Sequence, residues 1–115
     1  MKVIIAGGRY FDNYNELCLY CDKVLQNQIN IEIVSGGARG TDSLGEKYAK
    51  KRNYGLKQFP AAWSKFGRGA GVIRNAEMAK YATILIAFWD GKSRGTMNMI
   101  NLAEKEGLKV YVFYY

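Results

Sequence analysis

The 115-residue sequence contains no histidine. That absence removes Ser-His-Asp triads, Cys-His pairs and histidine-bearing zinc sites together. Cysteine is nearly absent too: Cys18 and Cys21 form one C-x-x-C, with no second pair to complete a four-thiolate metal site. Their flanks, Glu16-Leu17-Cys18-Leu19-Tyr20-Cys21, read as the middle of an amphipathic helix and not as the loop-to-helix junction of a redox motif. Both are expected to be reduced, partly buried and to behave as small apolar side chains. No metal site is expected. No apolar run approaches the roughly 18 residues needed to span a bilayer, and the apolar start Val3–Ala6 is stopped after four residues by Gly7-Gly8. The expectation is a cytoplasmic protein without membrane contact. No linker, repeat or low-complexity tract divides the chain, so residues 1–115 read as one domain.

Acidic residues are also short, 10 against 17 basic ones, for a net charge of +7. Lys47, Lys50, Lys51 and Arg52 fit the solvated face of a helix. The charge as a whole fits an anionic partner, either nucleic acid or a phosphorylated small molecule.

Apolar, β-branched-rich runs occur at 3–6, 31–35, 56–60, 83–88 and 108–113. Four are continuous, as in strands covered on both faces of a parallel sheet. The third, Leu56-Lys57-Gln58-Phe59-Pro60, is more polar and reads as an edge strand ended by its proline. Helical stripes lie between them: Leu17, Cys21, Val24 and Leu25 in 14–27; Leu44, Tyr48 and Ala49 in 42–53; Val72, Ile73, Ala76 and Ala79 in 70–82; and Thr96 or Met99, Ile100 and Ala103 in 96–106, closed by Gly107. Strict alternation predicts an α/β fold, a single doubly wound, Rossmann-like parallel sheet of about five strands with helices on both faces.

In such a sheet every strand ends at the same edge, and ligands bind there. The loops at that edge are 7–12, 35–42, 61–71 and 89–96. They hold ten of the 13 glycines, and with the first turn of the next helix they hold Arg9, Arg39, Lys65, Arg68, Arg74, Lys92 and Arg94 against Asp12, Asp42 and Asp90. An electropositive, glycine-rich crevice is expected. In the second loop, Ser35-Gly36-Gly37-Ala38-Arg39-Gly40-Thr41-Asp42, glycines would let a phosphate reach backbone N–H groups at a helix start, with Arg39 adding a fork. Thr41 or Asp42 could instead cap that helix. The fourth loop, Asp90-Gly91-Lys92-Ser93-Arg94-Gly95-Thr96, repeats the design. Its Gly-Lys-Ser is no P-loop, because the glycine required five residues earlier is Ile86. The G-x-G-x-x-G dinucleotide spacing is missing as well. Trp63 and Trp89 fall in crevice loops and could stack on a base or hold their loops down. Arg74-Asn75 offers a fork and an amide for ribose or phosphate, or a capping role. Among the carboxylates near the crevice (Asp42, Glu46, Glu77 and Asp90), arginine neighbours are expected to lower the pKa of Asp42 and Asp90. That favours binding, with Asp42 and Asp90 holding ribose hydroxyls or a metal-bound phosphate, over acid–base catalysis.

Val3–Arg9, Ser35–Asp42, Ile73–Met78 and Phe88–Thr96 together resemble the YspA-like branch of the SLOG superfamily, in order and over essentially the whole chain. That superfamily includes the LOG-type nucleoside-monophosphate phosphoribohydrolases and the DNA-processing protein DprA. The resemblance implies binding of a nucleotide or nucleotide-derived ligand, such as AMP, ADP-ribose or an NAD derivative. It places Gly7, Gly8 and Arg9 in the first loop, Gly36, Gly37, Arg39, Gly40 and Asp42 in the phosphate loop, and Gly91, Ser93, Gly95 and Thr96 in the late glycine-threonine loop. LOG enzymes carry P-G-G-x-G-T-x-x-E; here Met99 stands in the place of the glutamate, and a thioether transfers no proton. The resulting expectation is a module that senses or sequesters its ligand, with no resident cofactor assigned. The alternatives are a nucleotide hydrolase using Asp42, Glu77 or Asp90, and single-stranded nucleic-acid binding as in DprA. Tyr114 and Tyr115 are expected to be exposed on a monomer, which points to a homodimer.

Overall fold

Strand and helix alternate along a computed structural model that describes residues 1–115. The elements are β1 (Lys2–Gly7), α1 (Tyr14–Leu25), β2 (Glu32–Ser35), α2 (Thr41–Lys51), β3 (Gly55–Gln58), a single-turn α3 (Trp63–Phe66), a 3-10 turn over Gly67–Gly69, α4 (Ala70–Tyr81), β4 (Ile84–Trp89), α5 (Arg94–Lys105) and β5 (Lys109–Tyr114). All four strand pairings are parallel, in the order β3-β2-β1-β4-β5. Chain order therefore reverses at β1, with β2 on one side and β4 on the other, which is the topological switch point of a doubly wound sheet.

Side-chain alternation along the inner strands builds two cores. Val3, Ile5, Ile33, Ile84, Ile86 and Phe88 meet Leu17, Cys21, Leu25, Tyr48 and Ala49 of α1 and α2. Ile4, Ala6, Val34, Leu85 and Ala87 meet Met78, Ala79, Met99, Ile100 and Ala103 of α4 and α5. Because both faces are covered, the inner strands must be apolar at every position, and this is why they read as continuous runs. Cys21 is buried and Cys18 half-buried, both as free thiols in mid-helix. Burial pushes the Cys21 thiol well above its ordinary range. Lys47, Lys50, Lys51 and Arg52 lie on the outer side of α2 and at its end, as the solvated-face reading requires.

Three expectations are corrected. The fifth strand is covered less fully than the inner ones: it lies at the sheet edge, and Val110–Phe113 are only half-buried although they pack against both cores. The 61–71 segment is not all loop, since the Lys65 and Phe66 N–H groups both bond the Ala62 carbonyl and close one helical turn. The inward stripe of α4 is also different. Val72 and Ile73 are exposed, while Ala70, Asn75, Met78 and Ala79 face inward. Asn75 takes an inward position because its amide donates to Asn98 Oδ1 at 2.9 Å, joining α4 to α5.

Candidate functional site

The loops after β1, β2 and β4 are fastened to one another before any ligand is considered. Thr41 donates from both its N–H (3.2 Å) and its hydroxyl (2.9 Å) to the Gly8 carbonyl, joining the second loop to the first. Gly40, at φ +75°, lies so close to the Arg9 carbonyl that a Cβ there would overlap it. Arg74 on α4 donates through Nη1 to the Gly36 carbonyl and through Nε to Asn75 Oδ1. A side chain at Gly36 would collide with that guanidinium and with the Asp42 carboxylate. In the fourth loop Asp90 Oδ1 accepts from the Lys92 and Ser93 N–H groups at 2.8 Å. Ser93 caps α5 by accepting from the Thr96 N–H.

These fastenings leave one cleft, of about 1060 Å³, above the switch point. Six cations line it: Arg9, Arg39, Arg68, Arg74, Lys92 and Arg94. None is in an ion pair, the single salt bridge of the chain being Arg52–Asp22, remote from the cleft. Two carboxylates, Asp42 and Asp90, share the lining. No group of three or more His, Cys, Asp or Glu residues is arranged to hold a metal ion.

The structure brings Gly7, Gly8, Arg9, Gly36, Gly37, Arg39, Asp42, Trp63, Arg74, Asn75, Asp90, Ser93, Arg94, Gly95 and Thr96 to the cleft wall. It places the other candidates elsewhere. Ser35 is buried beneath the second loop, donating to Glu46 Oε2 at 2.7 Å and accepting from the Gly37 N–H. Thr41 is buried in the clamp to Gly8, and Gly40 is pressed against Arg9. Gly91 serves the turn of its loop at φ +82°. Trp89 donates from its indole N–H to the Ser93 carbonyl and lies against Tyr114, so it holds its loop down. Glu77 lies on α4 outside the lining. Lys65 likewise stays out, its ammonium over the Phe66 ring.

Neither Thr41 nor Asp42 caps α2 as a side-chain N-cap; that position is Gly40, with no side-chain hydrogen bond. Asp42 instead reaches back, its Oδ2 accepting from the Ala38 N–H at 3.1 Å. The second loop's N–H groups at Gly37 and Ala38 thus already have partners, Ser35 Oγ and Asp42. The chain's own carboxylate sits where the sequence suggests a phosphate. The electrostatics of Asp42 also reverse expectation. Burial, at 6% exposure, pushes its pKa up to about 6, outweighing the Ala38 N–H and the Arg74 charge, while Glu46 adds to the rise. Asp90, on the open surface, is held below the usual carboxylate range as anticipated. The chief cause is its two backbone N–H donors, with the Lys92 charge a small contribution.

Residue-level reading missed several wall residues: Tyr10, Val72, Met78, Asn98, Met99 and Tyr115. Tyr115 was legible in principle, because β5 runs parallel to β4 and must end at the same edge. Its N–H bonds the Trp89 carbonyl and its ring lies 4.8 Å from Phe11, with the hydroxyl over Gly8. It is still 46% exposed, and Tyr114 68%. Met99 is buried at the cleft floor within the α4–α5 core.

A five-stranded parallel sheet with helices on both faces, and a cleft over its switch point, define a Rossmann-like α/β domain. The chain belongs to the YspA, cpYpsA-related SLOG family (YAcAr), whose profile matches residues 1–66. It is similar to the Gene 61 protein of Mycobacterium phage D29, 33% identical over 119 residues, covering 97% of this chain and 95% of that one. The X-ray structure of DNA processing protein A (DprA) from Streptococcus pneumoniae superposes with a TM-score of 0.76 at 19% identity. That match covers 96% of this chain but 49% of the other, so this chain spans about half of DprA, and the likeness is one of fold.

Proposed function

We propose that the cleft binds a nucleotide or nucleotide-derived ligand through its phosphate groups, sensing or sequestering it. The observation that carries this reading is six cations outside any ion pair lining one cleft against two carboxylates. Unneutralised cationic groups around one cleft repel one another, and an anion relieves that repulsion while gaining charge-assisted hydrogen bonds. The start of α5 is the best seat for a phosphate. Ser93 satisfies Thr96, whereas the Arg94 and Gly95 N–H groups have no protein partner, and Gly95 has open space above it. Arg94 and Lys92 flank that seat and also line the cleft. Family membership supports a nucleotide-related ligand.

The test is thermal unfolding with AMP, ADP, ADP-ribose, NAD, cyclic ADP-ribose and a short single-stranded DNA, each at low salt and at roughly physiological salt or above. A ligand at 100 times its Kd stabilises by about 2.7 kcal/mol, a shift of several degrees in a domain of this size. A shift with a nucleotide that survives the higher salt is expected. Chromatography of the same mixtures reports turnover, and intact ligand is the result a binding module predicts. A second reading, single-stranded nucleic acid, is supported by the exposed Tyr10 and Trp63 beside the basic wall and by the fold shared with DprA. It predicts a shift with DNA alone that collapses at high salt. Exposed Tyr114 supports a homodimer, which sedimentation at micromolar concentration would show.

A further inference from the structure

Asp42 is almost wholly buried yet forms part of the cleft wall. Its Oδ2 accepts from the Ala38 N–H at 3.1 Å, its one close hydrogen bond, and the Gly36 N–H adds a weaker backbone donor. The carboxylate is not sealed away, since the one fully enclosed side-chain polar atom without a partner is the Tyr14 hydroxyl. A carboxylate largely removed from water and short of donors is costly, and a donor arriving through the cleft would offset that cost. The neighbours of Asp42 limit what the donor is. With Arg74 beside it, its neighbour Glu46 already engaged by the Ser35 hydroxyl, and no group of three metal-ligating side chains present, the site does not fit a cation. Five further cations on the wall disfavour a positively charged ligand. A phosphate oxygen would meet like charge at Asp42 and find the Gly37 and Ala38 N–H groups already taken. What remains is an uncharged hydrogen-bond donor carried by an otherwise anionic ligand.

Resting on the nucleotide reading above, we propose that Asp42 accepts hydrogen bonds from the ribose hydroxyls of the ligand, so that the glycine-rich loop after β2 selects a ribosyl group while the phosphate lies at the start of α5. The ligand is therefore a ribonucleotide or ribonucleotide conjugate, held with its sugar toward α2. Asp42 is a specificity-determining residue, and the role expected for its loop moves from phosphate to sugar.

Titration calorimetry at about pH 8, where Asp42 is ionised, tests this with AMP and 2′,3′-dideoxy-AMP. The two share base and phosphate and differ only in the hydroxyls. Hydrogen bonds to a charged acceptor are expected to make AMP bind about 10- to 100-fold tighter. In Asp42→Asn the ratio of the two affinities is expected to fall to within about two-fold, because the charge assistance is lost. A merely structural Asp42 would instead lower both affinities together and leave the ratio as it was. Equal binding of the two ligands to the wild-type protein overturns the sugar assignment while leaving the nucleotide reading intact. Failure of AMP and of every other nucleotide in the thermal-unfolding series to bind overturns the two together. The wild-type comparison stands without any variant, so a misfolded Asp42→Asn would not rescue the proposal.

Discussion

Asp42 shows how far a residue's surroundings outweigh its neighbours in sequence. Its sequence context, with Arg39 three residues away, suggests a depressed pKa, yet burial raises it to about 6. Linkage then fixes a sign. A carboxyl that binds its proton more tightly when folded favours the folded state below its unfolded pKa of 3.8, and that contribution is lost as pH rises through about 6. At alkaline pH the ionised side chain therefore costs about 3 kcal/mol, since each tenfold gain in proton affinity corresponds to about 1.36 kcal/mol. Asp42→Asn should raise stability in urea at about pH 8 by up to that amount, and the gain should vanish near pH 4. Gly36→Ala acts at the same site by a different route, forcing Arg74 and Asp42 apart. It is expected to abolish the nucleotide-induced thermal shift while leaving a folded protein, which circular dichroism would verify. Met99, buried at the cleft floor, fits a packing role. Met99→Glu places an unpaired carboxylate in that core and should lower stability by several kcal/mol, seen as a fall in the urea midpoint.

Between elements, two polar junctions do what apolar packing does elsewhere. Asp22 on α1 accepts from the Tyr48 hydroxyl of α2 at 2.6 Å and from the Arg52 Nε and Nη2. The ion pair is largely solvated and contributes little, but Tyr48 itself is fully buried. Asp22→Ala strands that hydroxyl and should cost about 1–3 kcal/mol in chemical denaturation. The second junction is Asn75, which ties α4 to Asn98 of α5 and, more loosely, to the Gly95 carbonyl. It also holds Arg74, which reaches across to the second loop. This explains why the apolar pattern of α4 misleads: the inward row carries an amide, and the more apolar Val72 and Ile73 are left outside. The helix limits themselves followed from period and capping, with Ser93 opening α5 and Gly107, at φ +80°, following its end.

For the whole molecule, the charge surplus resolves into two parts with different consequences. Lys47, Lys50, Lys51 and Arg52 are solvated on α2 and beyond, whereas the six cleft cations converge. Neutralising one or two phosphates in the cleft predicts a shallow dependence of affinity on salt, whereas a nucleic-acid track across many cations gives a steep one. Arg94→Ala and Arg39→Ala should each weaken nucleotide binding roughly 10- to 100-fold if they grip the ligand's charge, measured by calorimetry, while Lys50→Ala should leave it unchanged.

The alternation of strand and helix, the apolar inner strands that a parallel sheet covered on both faces requires, and hence the edge where the glycine-arginine loops gather all follow from the order of residues along the chain. Those features depend on local periodicity and on a chain rule that sends every strand end to one side, so they are legible residue by residue. Which loop atoms remain free depends on contacts between segments far apart in the chain. Thr41 and Gly40 are spent clamping the first two loops, Trp89 holds down its own loop, and Tyr115 joins the wall from the end of β5. Folding likewise buries Asp42 with a single close hydrogen-bond donor, the Ala38 N–H. Burial and partnering are set by groups distant in the chain, and desolvation, the largest influence on Asp42, has no counterpart in a linear string of residues.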